Sequence, residues 1–129
     1  MTLPARDAAI DERETQREAM ITTLYYSFNA RDVDTLLGTM HRDITWPNGI
    51  DGGTVWGRDA VREYWERLWT MLDPKVRALG FAHDHDRDTV SVRVSQVMRN
   101  IAGEVQLERI VHHVFSFTDG RIARLEIRD

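Results

Sequence analysis

The chain has 129 residues, 42% of them hydrophobic, a length and composition that fit one globular domain with a single core. Its formal net charge of −4 is spread along the sequence without blocks, so it offers neither the basic footprint of a nucleic-acid-binding protein nor the polybasic anchor of a membrane-surface protein. Because there is no cysteine, a disulfide framework and a thiolate metal site are both excluded.

The N-terminal region lacks the features of a targeting segment. The stretch MTLPARDAAIDERETQ has no apolar middle of the kind found in a secretory signal, and no apolar run in the chain approaches the length of a membrane span. We therefore expect a cytoplasmic protein without membrane partners, formed by one domain over residues 1–129. Residues 1–10 are expected to form a loose tail.

Two helices are predicted in the first third of the chain. The first runs from about Asp11 to Ala30, where an apolar stripe recurs at i, i+3, i+4 and i+7, formed by Ile21, Leu24, Tyr25 and Phe28. The segment RDVDTLLGTMH predicts a short second helix, which either Asp32 or Asp34 could cap.

A turn-rich region and a third helix follow. In DITWPNGIDGGTVW, Pro47 and the turn signals Asn48-Gly49 and Asp51-Gly52-Gly53 predict a short strand, a loop and a second short strand. The segment GRDAVREYWERLWTML predicts an amphipathic helix with a strongly aromatic apolar side. Pro74 is expected to end this helix.

From Lys75 onward the hydrophobic period falls to two. Four strands are predicted, at about 75–85, 89–100, 104–118 and 121–128, separated by short turns that make neighbouring strands antiparallel. A long curved sheet must be covered on its concave side, and the preceding helices can cover it. The expected fold class is therefore α+β.

The order of these elements, together with the segments FNARDVDTLLGTMHRDITW, GRDAVREYW and HHVFSFTDGRIARLEI, resembles the SnoaL-like branch of the nuclear transport factor 2-like superfamily. The resemblance extends from about Thr23 to Ile127. It implies a cone-shaped, cystatin-like α+β barrel in which three helices close over a curved, mostly antiparallel sheet. It also implies an interior pocket at the open end and a homodimer formed through the sheet. It says little about the reaction, because one fold hosts many functions.

Ketosteroid isomerase belongs to the same superfamily, as do scytalone dehydratase and limonene epoxide hydrolase, but its catalytic residues carry over only in part. Its carboxylate base falls at Asn48 or Trp46, neither of which can take a proton. Its second acid falls at His113, and its helix tyrosine falls near Leu24, one position from Tyr25. The resemblance therefore does not imply steroid isomerase activity.

Two adjacent histidines stand in the predicted strand ERIVHHVFSF. Because side chains alternate along a strand, His113 and Arg109 fall on the apolar face and His112 on the outer face. One interpretation is that both inward groups are satisfied interior residues, with Arg109 paired to a carboxylate such as Glu126. The other makes His113 a general acid/base and Arg109 an anchor for a carboxylate, phenolate or enolate oxygen.

Further side chains are candidates for lining a pocket. Gln96 interrupts the apolar face of its strand, where it could orient a ligand carbonyl or bond to a side chain of the next strand. Tyr25 and the loop residues Trp46 and Trp56 are expected near the pocket mouth.

The segment AHDHDRD raises the question of a metal site. His83 and His85 share one strand face and could chelate, but no third ligand stands at a usable spacing, and Asp84, Asp86 and Asp88 are typical of a turn. We therefore predict no metal and no cofactor. His83 remains a candidate for the pocket because it is expected on the same side as Leu79 and Phe81.

Two hypotheses of function follow. In the first, a SnoaL-like pocket holds a small, largely apolar or aromatic molecule and supports cofactor-free proton transfer of the isomerase, cyclase or dehydratase type. His113 would move the proton, and Arg109 with Gln96 or Tyr25 would stabilise the oxyanion. In the second, the chain is a non-catalytic small-molecule-binding or dimeric scaffold module, which the missing carboxylate base favours. The expected homodimer would use the outer face of the sheet, where Val97 lies.

Overall fold

The computed structural model describes the backbone from residue 5 to residue 129 and the side chains from residue 8 onward. The elements over this range are three helices and six strands: α1 Ala5–Ala30, α2 Val33–Gly38, β1 Met40–Pro47, β2 Thr54–Trp56, α3 Arg58–Met71, β3 Leu72–Asp84, β4 Thr89–Asn100, β5 Val105–Thr118 and β6 Arg121–Arg128.

The two predicted N-terminal helices are present. The stripe of α1 faces the core, with Ile21 and Leu24 almost completely buried. Of the two possible caps of α2, Asp32 is the N-cap, and its side chain accepts a hydrogen bond from the Thr35 amide. The loose tail predicted over residues 1–10 lies partly outside the described residues, and its second half is helical, since α1 begins at Ala5.

The strands form one six-stranded sheet in the order β2-β1-β6-β5-β4-β3. All neighbouring pairs are antiparallel except β1 and β6, which run parallel. The α+β class and the curved, mostly antiparallel sheet are confirmed. The sheet does not close into a complete barrel, because β2 and β3 remain as its edges.

The end of α3 differs from the prediction. The helix stops at Met71, and Pro74 lies inside β3, which begins at Leu72. Proline is tolerated there because β3 is an edge strand, so a missing N–H need not interrupt the ladder. On the same strand, Asn29 of α1 takes the place of a neighbouring strand: its Nδ2 donates to the Val76 carbonyl (2.7 Å) and its Oδ1 accepts from the Val76 amide (2.9 Å).

The hydrophobic core lies between the helices and the concave face of the sheet. Trp65 of α3 and Phe115 of β5 are its largest fully buried side chains. Alternate residues of β4, Val90, Val92 and Val94, are completely buried, as their spacing predicts. None of the helices in the described part of the chain is long and apolar enough to cross a membrane.

Candidate functional site

A cavity of about 470 Å³ opens between α1, α3 and the concave face of the sheet. Most of its wall is apolar, and exposed apolar side chains, Met71, Leu107 and Ile127, are among the residues that line it. The lining residues are Leu24, Tyr25, Phe28, Trp46, Pro47, Gly49, Ile50, Tyr64, Trp65, Leu68, Met71, Leu72, Pro74, Val76, Gln96, Met98, Leu107, Arg109, His113, Leu125 and Ile127.

One polar pair of the wall is deeply buried. The Tyr25 hydroxyl of α1 lies 2.8 Å from Nδ1 of His113 on β5, and the two side chains are 5% and 6% exposed. The aromatic ring of Phe115 packs edge-on against both. The other ring nitrogen of His113 has no hydrogen-bond partner among the described residues, and it is not among their fully enclosed, unpaired polar atoms. We conclude that it faces the cavity that His113 lines.

The environment keeps both members of this pair neutral. Burial, together with the smaller effect of the positive charge of Arg109, lowers the pKa of His113 from 6.5 to about 4. Burial also raises the pKa of Tyr25 well above its ordinary value. Near neutral pH the pair therefore consists of a phenol and an uncharged imidazole, which can exchange donor and acceptor roles by a change of tautomer.

A second polar pair of the wall lies on neighbouring strands. Arg109 of β5 and Gln96 of β4 face each other across the ladder, and the Arg109 Nε donates to the Gln96 Oε1 at 2.9 Å. This contact is one of the two roles that the sequence left open for Gln96, and Gln96 also lines the cavity. The guanidinium nitrogens beyond Nε approach only Asp129 among the described carboxylates, at 4.0 Å, and that residue is 96% exposed.

Arg109 is not buried as expected, and the interpretation that pairs it with Glu126 is wrong. Its side chain is 43% exposed, and Glu126 is instead bound by Arg124 and Arg128 at 2.7 and 2.9 Å. Residues 105–110 of β5 are exposed on both faces, because the helices cover only the later part of that strand. Alternation correctly puts Arg109 on the cavity side but does not show how far the cover extends.

Of the three aromatic residues expected near the pocket mouth, two line the cavity and one does not. Tyr25 and Trp46 line the cavity, and Trp46 packs edge-on against Trp65. Trp56 does not belong to the lining and is 71% exposed. In the three-residue strand β2 it is Val55 that points inward, so alternation turns Trp56 to the solvent.

His83 also lies away from the cavity. A register shift between Ala78 and Gly80 reverses the faces of β3, so Leu79 is exposed, Phe81 packs against the core and His83 faces the middle of α1. There His83 Nε2 contacts a Glu18 carboxylate oxygen at 2.8 Å. The neighbouring His85 contacts Glu14 at 2.9 Å, and no group of three or more metal-binding side chains occurs among the described residues.

Tyr64, which belongs to the aromatic apolar side of α3, also lines the cavity, although its spacing in the sequence resembles that of an ordinary core residue. Its hydroxyl accepts a hydrogen bond from the Gly49 amide at 3.0 Å and so holds the loop between β1 and β2 against the cavity. One turn further on, Arg67 binds Asp51 of the same loop at 2.8 Å. The loop carries Ile50 into the cavity wall.

Comparisons with known proteins agree with this architecture. The model of the SnoaL-like domain family matches residues 21–125. A comparison with curated proteins finds no significant match.

Solved structures give extensive but distant matches. TerC, co-crystallized with polyporic acid, is 24% identical, with a TM-score of 0.76 over 88% of this chain and 92% of that one. SalBIII, an epoxide hydrolase/cyclase-like enzyme of pyran ring formation in the polyether salinomycin, is 21% identical, with a TM-score of 0.75 over 89% and 91%. An epoxide hydrolase of the LEH-like type from M. tuberculosis is 17% identical, with a TM-score of 0.73 over 88% and 81%. At these identities the likeness shows the fold alone.

Proposed function

Because the chain belongs to the SnoaL-like domain family, we propose that its interior cavity binds a small, largely apolar molecule and that His113, with Tyr25, moves a proton on that molecule. The observation that carries the proposal is the Tyr25–His113 hydrogen bond in an otherwise apolar cavity, with the second ring nitrogen of His113 open to the space. The reaction would be an isomerisation, cyclisation or dehydration without a cofactor.

The Tyr25–His113 pair, here called the dyad, fits proton transfer in an apolar cavity. When the Tyr25 hydroxyl accepts from the Nδ1–H of His113, the lone pair of Nε2 faces the ligand and can take a proton. The imidazolium formed in this way still donates its Nδ1–H to Tyr25, and it returns to the neutral form when Nε2 gives its proton to another atom of the ligand. A carboxylate is not needed, and none of the lining residues in the described part of the chain is Asp or Glu. The lowered pKa of His113 makes it a weak base, suited to a substrate with an acidified C–H.

The solved structures with the same fold come from proteins with related kinds of chemistry, but they do not establish that chemistry for this chain. TerC was co-crystallized with polyporic acid, and SalBIII is described as an epoxide hydrolase/cyclase-like enzyme with a role in pyran ring formation. A third solved structure with the same fold is a computationally designed 17-OHP binder, 17% identical and with a TM-score of 0.73. The fold therefore occurs both with and without catalysis, which makes a non-catalytic binding module the second candidate.

The test separates binding from chemistry. Binding is measured with N-phenyl-1-naphthylamine, a neutral fluorescent probe of apolar cavities. Proton transfer is measured by NMR as deuterium incorporation in D₂O at C1 of 2-tetralone, where the carbonyl and the aromatic ring together acidify the C–H. We expect His113→Gln to bind the probe within about two-fold of the wild type but to lose the accelerated exchange. His112→Gln, on the outer face of the same strand, is the matched control and should retain both. Binding without accelerated exchange in the wild type would favour the non-catalytic module.

The homodimer expected from the family resemblance is also part of this proposal. The outer face of the sheet carries Ile110, which is 48% exposed, and the half-buried Val97. These side chains stand near each other, because Val97 pairs with Glu108 and Ser95 with Ile110. Light scattering at micromolar concentration should give twice the 15.0 kDa chain mass, and Ile110→Arg should reduce it to the single-chain value. A wild-type particle of single-chain mass would exclude the dimer.

A further inference from the structure

The two polar pairs of the cavity lie at different depths. Arg109 and His113 are four residues apart on β5, which separates their Cα atoms by about 13 Å along an extended strand. His113 is 6% exposed, whereas the Arg109 side chain is 43% exposed. The charged pair therefore lies at the open end of the cavity and the neutral pair at its closed end, with apolar wall between them.

The open end presents hydrogen-bond donors. The Gln96 oxygen is occupied by the Arg109 Nε, so the Gln96 amide nitrogen and the outer guanidinium nitrogens are the groups left for a ligand. Arg109 has no carboxylate within 3.5 Å in the described part of the chain, and its contact with the exposed Asp129 is too long and too solvated to neutralise it. A planar guanidinium with free N–H groups binds a carboxylate or a similar planar anion in a bidentate manner.

Position also decides which kind of anion fits. A permanent anion at the open end keeps part of its hydration, so its transfer from water costs little. The buried dyad at the closed end is uncharged near neutral pH and suits a carbonyl or hydroxyl group. The same geometry places Arg109 to anchor a permanent anion at the open end, about 13 Å along the strand from His113.

We propose that the ligand is an organic acid with two polar ends: an aromatic or alicyclic body in the cavity, a carboxylate or equivalent anion on Arg109 and Gln96, and a neutral oxygen at Tyr25 and His113. This inference rests on the proposed function and specifies its substrate class. It is independent of whether the bound molecule reacts.

The test uses two probes that differ only in the anion. 1-Anilinonaphthalene-8-sulfonate carries a sulfonate, and N-phenyl-1-naphthylamine is the same skeleton without it. Both are titrated by fluorescence against the wild type, Arg109→Met and Arg109→Lys. The control is Arg93→Met, because Arg93 is exposed on the outer face of β4 between the buried Val92 and Val94. Circular dichroism establishes that each variant is folded.

The binding site of the probe is located by methyl NMR. Ile50 and Ile127 line the cavity, whereas Ile101 and Ile110 are exposed elsewhere. A probe in the cavity shifts the first two methyl groups and leaves the second two unchanged.

We expect Arg109→Met to weaken binding of the sulfonate probe by roughly ten-fold or more and binding of the neutral probe by less than about two-fold. The reason is that only the sulfonate probe loses a charge-assisted contact. Arg109→Lys should give an intermediate loss, and Arg93→Met none. If Arg109→Met changed the affinity for both probes equally, the anion site would be excluded, but the apolar cavity would still be supported as the binding site. If neither probe shifts Ile50 or Ile127, the proposed function fails, and the substrate class fails with it.

Discussion

The Tyr25 hydroxyl and the Nδ1 of His113 form a 2.8 Å hydrogen bond between residues that are 88 positions apart in the sequence. The bond links the buried face of α1 to the middle of β5. It fixes the ring of His113 so that its other nitrogen faces the cavity. The same contact satisfies two polar groups that would otherwise be costly to bury, so it serves both the packing and the proposed chemistry.

The first prediction concerns the pH dependence of stability. The pKa of His113 falls from 6.5 to about 4 on folding, so between these values the unfolded chain binds a proton that the folded chain does not. The free energy of unfolding should therefore decrease as the pH falls through this window and stop responding to His113 below it. The pH-dependent contribution of His113 to the free energy of unfolding amounts to about 3 kcal/mol at most.

Urea unfolding of the wild type and His113→Gln between pH 7 and pH 4 measures this effect. The wild type should lose more stability than the variant, so the difference between the two should narrow towards low pH. His112→Gln, which alters the exposed neighbour, should follow the wild-type curve. Parallel curves for the wild type and His113→Gln would show that burial does not depress the His113 pKa.

The second prediction isolates the hydrogen bond of the dyad. Tyr25→Phe keeps the buried ring but removes the hydroxyl, leaving Nδ1 of His113 without its partner, and should lower the free energy of unfolding by about 1–3 kcal/mol. The adjacent Tyr26 is 77% exposed, so Tyr26→Phe should change stability by less than about 0.5 kcal/mol. Chemical denaturation at pH 7 compares the two variants. Equal stabilities for them would mean that the bond contributes nothing measurable.

The third prediction concerns the loop that Tyr64 holds against the cavity. Tyr64→Phe leaves the Gly49 amide without its acceptor and should cost about 1 kcal/mol. Gly49→Ala should also destabilise the protein, because a Cβ at this position would lie 3.0 Å from the Tyr64 hydroxyl oxygen. Removing the hydroxyl relieves that close approach, so the double variant should be more stable than the sum of the single effects predicts.

A double-mutant cycle by urea denaturation measures this coupling, which we expect to be about 0.5 kcal/mol or more. Gly38→Ala is the glycine control: no atom lies within 4 Å of the added Cβ, and the position is helical, so the substitution should be neutral or slightly stabilising. Strictly additive effects at Gly49 and Tyr64 would indicate that the loop moves away from Tyr64 when it accepts alanine.

The fourth prediction concerns the edge of the sheet. Asn29 occupies both the amide and the carbonyl of Val76, so Asn29→Ala should lower the free energy of unfolding by about 1–3 kcal/mol. Asn29→Asp keeps the acceptor but places a carboxylate against the Val76 carbonyl, so it should be no more stable than the alanine variant. Hydrogen exchange of the Val76 amide provides the local measurement. Unchanged protection of that amide in Asn29→Ala would show that this side-chain contact does not hold the edge strand.

Features that depend on neighbouring residues in the sequence were predictable, whereas features that depend on distant segments were not. The stripe of α1 and the alternation of β4 were predictable, because Ile21, Leu24, Val92 and Val94 report a local period on one buried face. Pro74 was misassigned as a helix end, since only its place on an edge strand shows why a sheet tolerates it. The bulge near Leu79 could not be predicted from the sequence, because the shift of register depends on the partner strand.

Five residues that the sequence singled out line one cavity, but the contacts among the cavity residues were not predicted. The face of β5 identified His113 and Arg109 as cavity-side groups, and Tyr25, Trp46 and Gln96 join them in the lining. The partners were not predictable: Tyr25 for His113, Gln96 for Arg109, and Tyr64 for the loop at Gly49. Each of these contacts joins different elements.

What the sequence determined by itself was the periodicity, and with it the helices, the strands and the side on which each side chain points, because backbone geometry repeats every 3.6 or two residues. What only the tertiary structure decided was how deeply each side chain is buried. The helices cover β5 over His113 but not over Arg109, so one inward residue is a buried neutral group and the other a half-exposed cation. The physical reason is that burial depends on which distant segment covers a face, and that information does not reside in the alternation of the strand itself.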